Sequence, residues 1–501
     1  MFRRLINTAL FLFAVSLCSF SQNSQVLYYM NIPQNHLMNP ALRPSNSFYI
    51  GFPGITSINL SVNNNFINFS DIILPGKGDS LITFLHPDYN IDDFLAGIHD
   101  RNFISSSLTL QLFGLGFNAG KDLYIFVDVT DRFAGNFAIP GDLIRLALKG
   151  NDEFIGKTID LSDLDADFQY FREYGIGFSK NIGKNLRIGV KPKLLSGIMS
   201  ASMENNSLGL TVNEDFTHTL DADLSVHLSK QFNVYYDEEN RPDSITFDES
   251  FFSSPRFLWY TSNIGFGIDL GATFDIGNRF QVSAAVTDLG FISWSDSVTN
   301  MSAKSHFEFS GLNITDVING DKTLETLGEE MLDSLKNSFV FSNDDTPYQT
   351  YLPVGISIGG RFNLTKSLSI GLLSKSTVIQ KQIHEALTLS ANLNLSNIFT
   401  TSLSYTAANS RYDNMGAGIA LRLGFFQLYL IADRIPLYWN RIESTSENGS
   451  SQMMNPVNGT KTTSTPVPAN WNMVNMRFGL NLSFGNKVNI KHDKPMLIEQ
   501  N

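Results

Sequence analysis

The sequence predicts an all-β fold: a transmembrane antiparallel β-barrel of about 14 to 16 strands, with long external loops containing short helices. Three observations carry that expectation. An export leader is followed by no spanning helix, apolar residues alternate over stretches too long for a soluble sheet, and connections are short at one end and long at the other.

The leader comes first in the chain. Arg3 and Arg4 precede an apolar run over residues 9–17, and Ser19 and Ser21 supply the small residues of a cleavage point before Gln22. That is the layout of a secretory signal peptide spanning residues 1–21. A lipoprotein leader built on Cys18 is the rival, but Leu17 stands where it would need a small residue. Cleavage removes the one Cys, so the exported chain must hold together without disulfides. Behind the leader no run reaches the ~18 to 20 apolar residues of a spanning helix.

Composition agrees. The chain has 501 residues, a net charge of −12, 17% charged residues and 40 Phe, whereas roughly 25% charged is usual for soluble domains. So much aromatic content excludes a disordered chain. The acidic balance argues against a nucleic-acid partner, which would need a basic face.

Alternation is clearest over residues 260–276. Tyr260, Ile264, Phe266, Ile268, Leu270, Phe274 and Ile276 share one parity, while Thr261, Asn263, Gly265, Asp269, Thr273 and Asp275 share the other. Gly277-Asn278 offers a turn of positive φ. The same rhythm returns at residues 352–364, 387–395 and 474–484. Soluble sandwich strands run to five or six residues, but a tilted membrane strand needs ~9 to 11, so length favours the barrel.

Short links fall at residues 181–185, 277–278, 363–366, 396–398 and 424–425, and long ones at 132–167, 231–256, 313–349 and 434–470. Tight periplasmic turns and long outer loops alternate in this way, and strand parity should be even. Two segments leave the count open. Residues 47–63 form either the first strand or part of a plug, and residues 302–312 either a wall strand or an external hairpin. Helical periodicity marks residues 91–99, 142–149 and 323–335, all within long connections. The last strand alternates up to Phe484, the aromatic ending that barrel-insertion machinery reads. Residues 485–501 would follow as a periplasmic tail.

Catalytic patterns match by letter and fail by context. Ser357, in Gly355-Ile356-Ser357-Ile358-Gly359, lies mid-strand instead of on a strand-to-helix elbow. The glycines of residues 114–119 precede another strand, not a phosphate-binding helix. Asp163, Asp165 and Asp167 open like a calcium loop, but Phe168 replaces the required Gly and Tyr174 the final Glu. The His residues form no ligand pattern, so neither metal nor cofactor is expected, and no enzyme.

If the apolar parity meets lipid, Arg187, Lys191, Lys193, Arg361, Arg422 and Arg477 face the lumen with Glu173, Asp221, Asp223, Asp269 and Asp275. A lipid-facing Arg or Lys at the midplane would cost about 2 to 4 kcal/mol, so their shared parity is informative. Such residues either brace the interior as ion pairs or line a solute route.

The chain also resembles a family. Tyr28-Tyr29-Met30, Ile32-Pro33, Asn39-Pro40-Ala41, residues 50–54 and residues 173–177, together with Val190-Lys191-Pro192-Lys193 and Asp288-Leu289-Gly290-Phe291, resemble an uncharacterised family of Bacteroidota outer-membrane β-barrel proteins. That family is distantly similar to FadL-like transporters and to PorV and PorP-type barrels of type IX secretion. The FadL resemblance implies 14 strands over residues 47–484 and an N-terminal hatch or plug at residues 22–46, with Asn39, Pro40 and Ala41 as its turn. It implies a bacterial outer-membrane barrel, non-enzymatic, passing a hydrophobic or amphipathic small molecule. The alternative is an interaction barrel that binds secretion or surface-assembly components. No catalytic set comes with the resemblance.

Overall fold

Alternation along the chain becomes a wall in the computed structural model, which describes residues 25–68, 74–75, 81–87, 89–229, 232–238, 241–247, 253, 257, 261–311, 323–379, 382–395, 398–408, 411–436, 439–446, 461–468 and 472–485. The expected leader and the tail past Gly485 lie outside the described residues. Fourteen strands close into one antiparallel ring. β1 has two arms, Phe48–Gly51 and Ser57–Asn64. It is followed by β2 (Arg101–Ala119), β3 (Leu123–Pro140), β4 (Asp165–Ile182) and β5 (Leu186–Val212). β6 (Ile264–Ile276), β7 (Phe280–Trp294) and β8 (Val354–Asn363) continue the ring, with Tyr348–Tyr351 extending β8 along β7. β9 (Leu368–Ile379), β10 (Gln382–Leu395), β11 (Phe399–Ala408), β12 (Arg411–Leu423), β13 (Phe426–Ile435) and β14 (Met473–Phe484) complete it. Both arms of β1 pair with β14 on one side and β2 on the other, which closes the circle.

The arms of β1 are separated by a tight turn. Pro53 fixes φ at its second position, Gly54 takes φ +82° at its third, and Ile55 N–H donates to Phe52 O at 3.1 Å. This is the residue order of a type II turn. The segment 47–63 is therefore ring strand.

Tight turns join the strands at one end, with positive φ at Gly120, Gly183, Gly277 and Gly424. At that end β14 finishes on Phe484, whose ring stacks on Phe425 with centroids 6.1 Å apart. The outward parity carries exposed apolar side chains around the ring, among them Phe266, Ile358, Leu389, Leu403, Leu430 and Phe478. An apolar outer band over a polar interior is the pattern of a barrel in lipid.

The other end is built up unevenly. β5 has 27 residues, more than a bilayer needs. Its first part pairs with β6, while its last part pairs with His218–Ser229, which pairs in turn with Val298–Phe309, and that with Val340–Asp344. These strands form an external sheet, and Phe154, Ile159, Leu161, Leu208, Val212 and Ala222 give it a core of its own. Residues 302–309 are thus external and leave the ring even. Asp221 and Asp223 belong to this sheet as well, not to the lumen, because the overlong β5 carries the ladder beyond the ring.

Helices occur where helical periodicity marked them: α1 (Ile91–Leu95), α2 (Gly141–Lys149) and α3 (Leu324–Ser338). Two boundaries differ from expectation. Arg132 lies inside β3, so the connection after it shrinks to residues 141–164. β6 begins at Ile264, because Asn263 takes φ +52° and its Oδ1 accepts the Ser295 and Asp296 N–H groups.

Candidate functional site: the barrel interior and an external cleft

The N-terminal segment runs through the ring. Val26–Tyr29 and Pro33–Leu37 are short 3-10 helices, the second opened by Pro33 after an extended Ile32, the conformation a residue before proline prefers. Val26, Leu27, Tyr28, Met30, Ile32 and Ala41 are almost fully buried. Their partners lie on opposite sides of the ring. Val26 N–H donates to Asp433 on β13 (2.9 Å), Tyr28 OH to Ser283 on β7 (2.9 Å), and Tyr29 OH to Leu372 O on β9 (2.8 Å). Gln34 exchanges two hydrogen bonds with Asn481 on β14, at 2.8 and 2.9 Å.

Missing side chains on the wall shape the seat. A Cβ on Gly371 would stand 2.5 Å from the Tyr29 ring, one on Gly418 2.4 Å from Met30 Sδ, and one on Gly271 2.0 Å from Asn39 Oδ1. Asn39, Pro40 and Ala41 form a turn in which Asn39 Oδ1 accepts Ala41 N–H at 2.9 Å, the side-chain-to-backbone closure asparagine favours. The turn lies against Gly189 of β5 and Gly271 of β6.

Beside the segment, side chains from five strands share charge. Lys191 Nζ lies 2.8 Å from Glu173 and 3.1 Å from Asp128, and Lys193 Nζ lies 2.7 Å from Asp269 and 2.6 Å from Asp288. Arg132 holds both Asp288 oxygens, at 2.6 and 3.1 Å, the bidentate fork that suits a carboxylate. Its Nη1 also reaches Glu173 at 3.3 Å. Asp288 takes φ +61° where the β6–β7 register slips, and its N–H donates to Asp269 Oδ1 at 2.7 Å. His36, in the N-terminal segment, joins through Asp128 at 2.9 Å.

Of the residues singled out by parity, Glu173, Lys191, Lys193 and Asp269 therefore meet in one network. The contacts described for the others lie elsewhere. Arg187 donates to Asn181 Oδ1 (2.9 Å), Asp275 accepts from Gln281 (2.6 Å), and Arg477 donates to Ser57 Oγ on the β1 side (3.0 Å). Arg361 sits on β8 opposite Gln281 and Gly371. Arg422 serves the short-turn end, donating to Gly424 O and Ser483 O. Sequence reasoning missed Asp128, Arg132, Asp288 and His36. Asp128 and Arg132 share the parity of Tyr124 and Phe126 and could have been found by continuing the alternation, but the bulge hides Asp288.

Outside the ring, α3 leans on the external sheet and leaves a cleft of about 560 Å³. Leu224, Ala303, Leu335, Phe339 and Phe341 line it, with Glu329, Asp333 and Lys336 also bordering it. A mostly apolar concavity of that volume suits a small ligand.

Ser357 is buried mid-strand in β8, and residues 114–119 lie in β2. Asp163 and Asp165 both face Arg101 at 3.5 Å. Among the described residues no cluster has metal-ligand geometry.

Solved structures with a similar overall course include the toluene transporter TbuX of Ralstonia pickettii, at 9% identity, a TM-score of 0.42, and 94% of this chain and 100% of that one covered. A FadL homologue of Pseudomonas aeruginosa gives the same four values. The toluene transporter TodX of Pseudomonas putida aligns at 8% identity with the same score and coverage. No curated protein matches the chain. The model of a Family of unknown function (DUF5723) matches residues 40–433, and the chain belongs to that family.

Proposed function

We propose that this protein is an integral outer-membrane barrel, exported with a cleaved signal peptide, that takes up a hydrophobic or amphipathic small molecule from outside the cell without enzymatic chemistry. The observation that carries the reading is the apolar cleft between α3 and the external sheet, which has room for one small molecule. The N-terminal segment is then the plug of the resting barrel, and residues 485–501 its periplasmic tail. Glu173, Lys191, Lys193 and Asp269 brace the lumen, and Phe484 closes the strand that insertion machinery recognises.

Uptake of the hydrophobic dye N-phenyl-1-naphthylamine into proteoliposomes tests this reading. The protein should accelerate uptake, and Phe339→Asp should slow it by placing a charge on the cleft wall. Equal rates with and without the protein would overturn the reading.

A second reading is an interaction barrel for secretion or surface-assembly components, of the type IX kind or another. The separate core of the external sheet favours it, since that core builds a rigid platform above the ring. A pull-down from outer membranes that recovers such components in stable stoichiometry would support it.

A further inference from the structure

The chain carries 36 Lys and Arg against 48 Asp and Glu, yet the short-turn end of the barrel reverses that balance. Lys121, Lys180, Lys184, Arg279 and Lys366 are exposed there, from the β2–β3 turn round to the β8–β9 turn. Asp122 and Asp275 are the acids of that end among the described residues, and Asp275 accepts from Gln281 at 2.6 Å. The exposed cations make no ion pair among the described residues. The arginines of the same end are tied instead: Arg43 donates to Asp122 O and Ser179 O, Arg187 to Asn181 Oδ1, and Arg422 to Gly424 O and Ser483 O.

Lys180 differs from the rest in the face it takes. Along β4 it shares parity with Ile176, Phe178 and Ile182, and its partners across the ladder are Leu123 on β3 and Ile188 on β5. Ile176, Ile182 and Ile188 are exposed members of the outer apolar band. A lysine framed in this way is tolerated near an interface, where its cost falls, and not at the midplane. Its stem can lie along apolar surface while the ammonium reaches the headgroups. Only Asn181 and Ile182 separate Lys180 from the turn that holds Lys184. Asn181 N–H donates to Asp122 O at 2.9 Å, which brings the Lys121 turn to the same corner. That corner gathers the ammonium groups of Lys121, Lys180 and Lys184 around one carboxylate, Asp122.

The other side of the rim is different. At the ends of β10 to β13 the exposed residues are Leu395, Ile398, Leu423, Phe425 and Phe426. We propose that the corner of Lys121, Lys180 and Lys184 binds the phosphate of an anionic phospholipid in the leaflet beside the short turns, with Arg279 and Lys366 extending the same arc. Phosphate oxygens accept charge-assisted hydrogen bonds from ammonium groups. An acidic protein could meet the turn tips, but Lys180 lies within the frame that faces acyl chains, and a lipid brings its phosphate to that place. The inference rests on the barrel lying in lipid and does not depend on what the barrel passes.

Quenching by brominated lipid reads which headgroups gather at the corner. Ile188→Trp places a reporter on the outer face directly across from Lys180, and Leu428→Trp places one at matching depth on the apolar side, each at the third residue of its strand after a short turn. The full exported chain is reconstituted in phosphatidylcholine vesicles containing the same small share of dibrominated phosphatidylglycerol or dibrominated phosphatidylcholine, and the parent's signal is subtracted. The Ile188→Trp reporter should show a preference of at least about threefold for phosphatidylglycerol, and the Leu428→Trp reporter none. Adding Lys121→Gln, Lys180→Gln and Lys184→Gln should bring the preference at the Ile188→Trp reporter back toward one. Equal quenching by the two lipids at that reporter, the same preference at both reporters, or a preference that survives the triple replacement overturns the proposal. If Ile188→Trp loses its heat-modifiable gel shift, Ile182→Trp, two positions from Lys180 on the same face of β4, takes its place with the same expectations.

Discussion

Arg172 grips Asp131 on the face of the wall opposite the charge network, with Nε 2.6 Å and Nη2 2.8 Å from the two carboxylate oxygens. Alternation fixes that face. Asp128 and Arg132 share one parity of β3, so Asp131 takes the other, and Arg172 pairs directly across from it on β4. A charge pair on the outer face survives because it is covered. Tyr170 OH donates to Asp131 at 3.0 Å, while Phe257, from the long connection after β5, accepts from Arg172 through its carbonyl at 3.0 Å and offers its ring 4.7 Å away. Removing one partner leaves a buried charge unpaired, so Asp131→Ala should cost about 3 to 5 kcal/mol. Urea unfolding followed by heat-modifiable migration measures the loss. The double replacement Asp131→Leu/Arg172→Met should recover most of it.

Gly371 gives the Tyr29 ring its space, and Gly371→Val would drive a side chain into that ring. Overpacking of this kind costs about 1 to 3 kcal/mol. The strain is relieved when the segment leaves, so chymotrypsin should cut after Tyr29 sooner than in the parent while the ring stays folded. Unchanged cleavage would show that the seat can yield.

The outer band predicts a sharp asymmetry between the faces of β13. Leu430 points outward at mid-strand and is half-exposed. Leu430→Arg should therefore destabilise the protein in lipid vesicles by about 2 to 4 kcal/mol, measured by urea titration of tryptophan fluorescence. In a mixed micelle that deforms around the guanidinium the penalty should shrink.

The external sheet carries a histidine whose proton affinity is raised. Asp221 lies 2.6 Å from His306 Nδ1 across the sheet, and Glu308 lies 3.6 Å from Nε2. The hydrogen bond to Asp221, then its charge, lifts the His306 pKa above its ordinary value. A raised folded-state value means that the pair's stabilisation is complete below the unfolded value of about 6.5 and fades as pH climbs through the folded one. Asp221→Asn should move the His306 titration, followed by imidazole proton resonances, to lower pH. An unmoved midpoint would show that the pair is idle in solution.

Much of this architecture is legible in the residues because period-2 alternation is a local property. The runs at residues 387–395 and 474–484 show it without any knowledge of their neighbours. What resists reading is whatever depends on a partner far along the chain or on a slipped register. Whether residues 302–309 join the wall is decided by the excess length of β5. Asp288 changes face at a bulge, and the tie between His36 and Asp128 spans 92 positions. Parity could place Lys191 and Glu173 on one face, but no local pattern tells that a residue from the N-terminus will stand between their strands and the far wall.

Gln34 and Asn481 are 447 positions apart, and that distance orders events in time. The segment that fills the ring leaves the ribosome long before β14, yet its last partner is made almost at the end of the chain. Until β14 arrives, Gln34 has no amide to meet and the wall around Tyr28 and Met30 is unfinished. Contacts so remote in sequence form late and slowly. An early part of the chain must therefore wait for the latest, and the filled interior marks a ring that has finished closing.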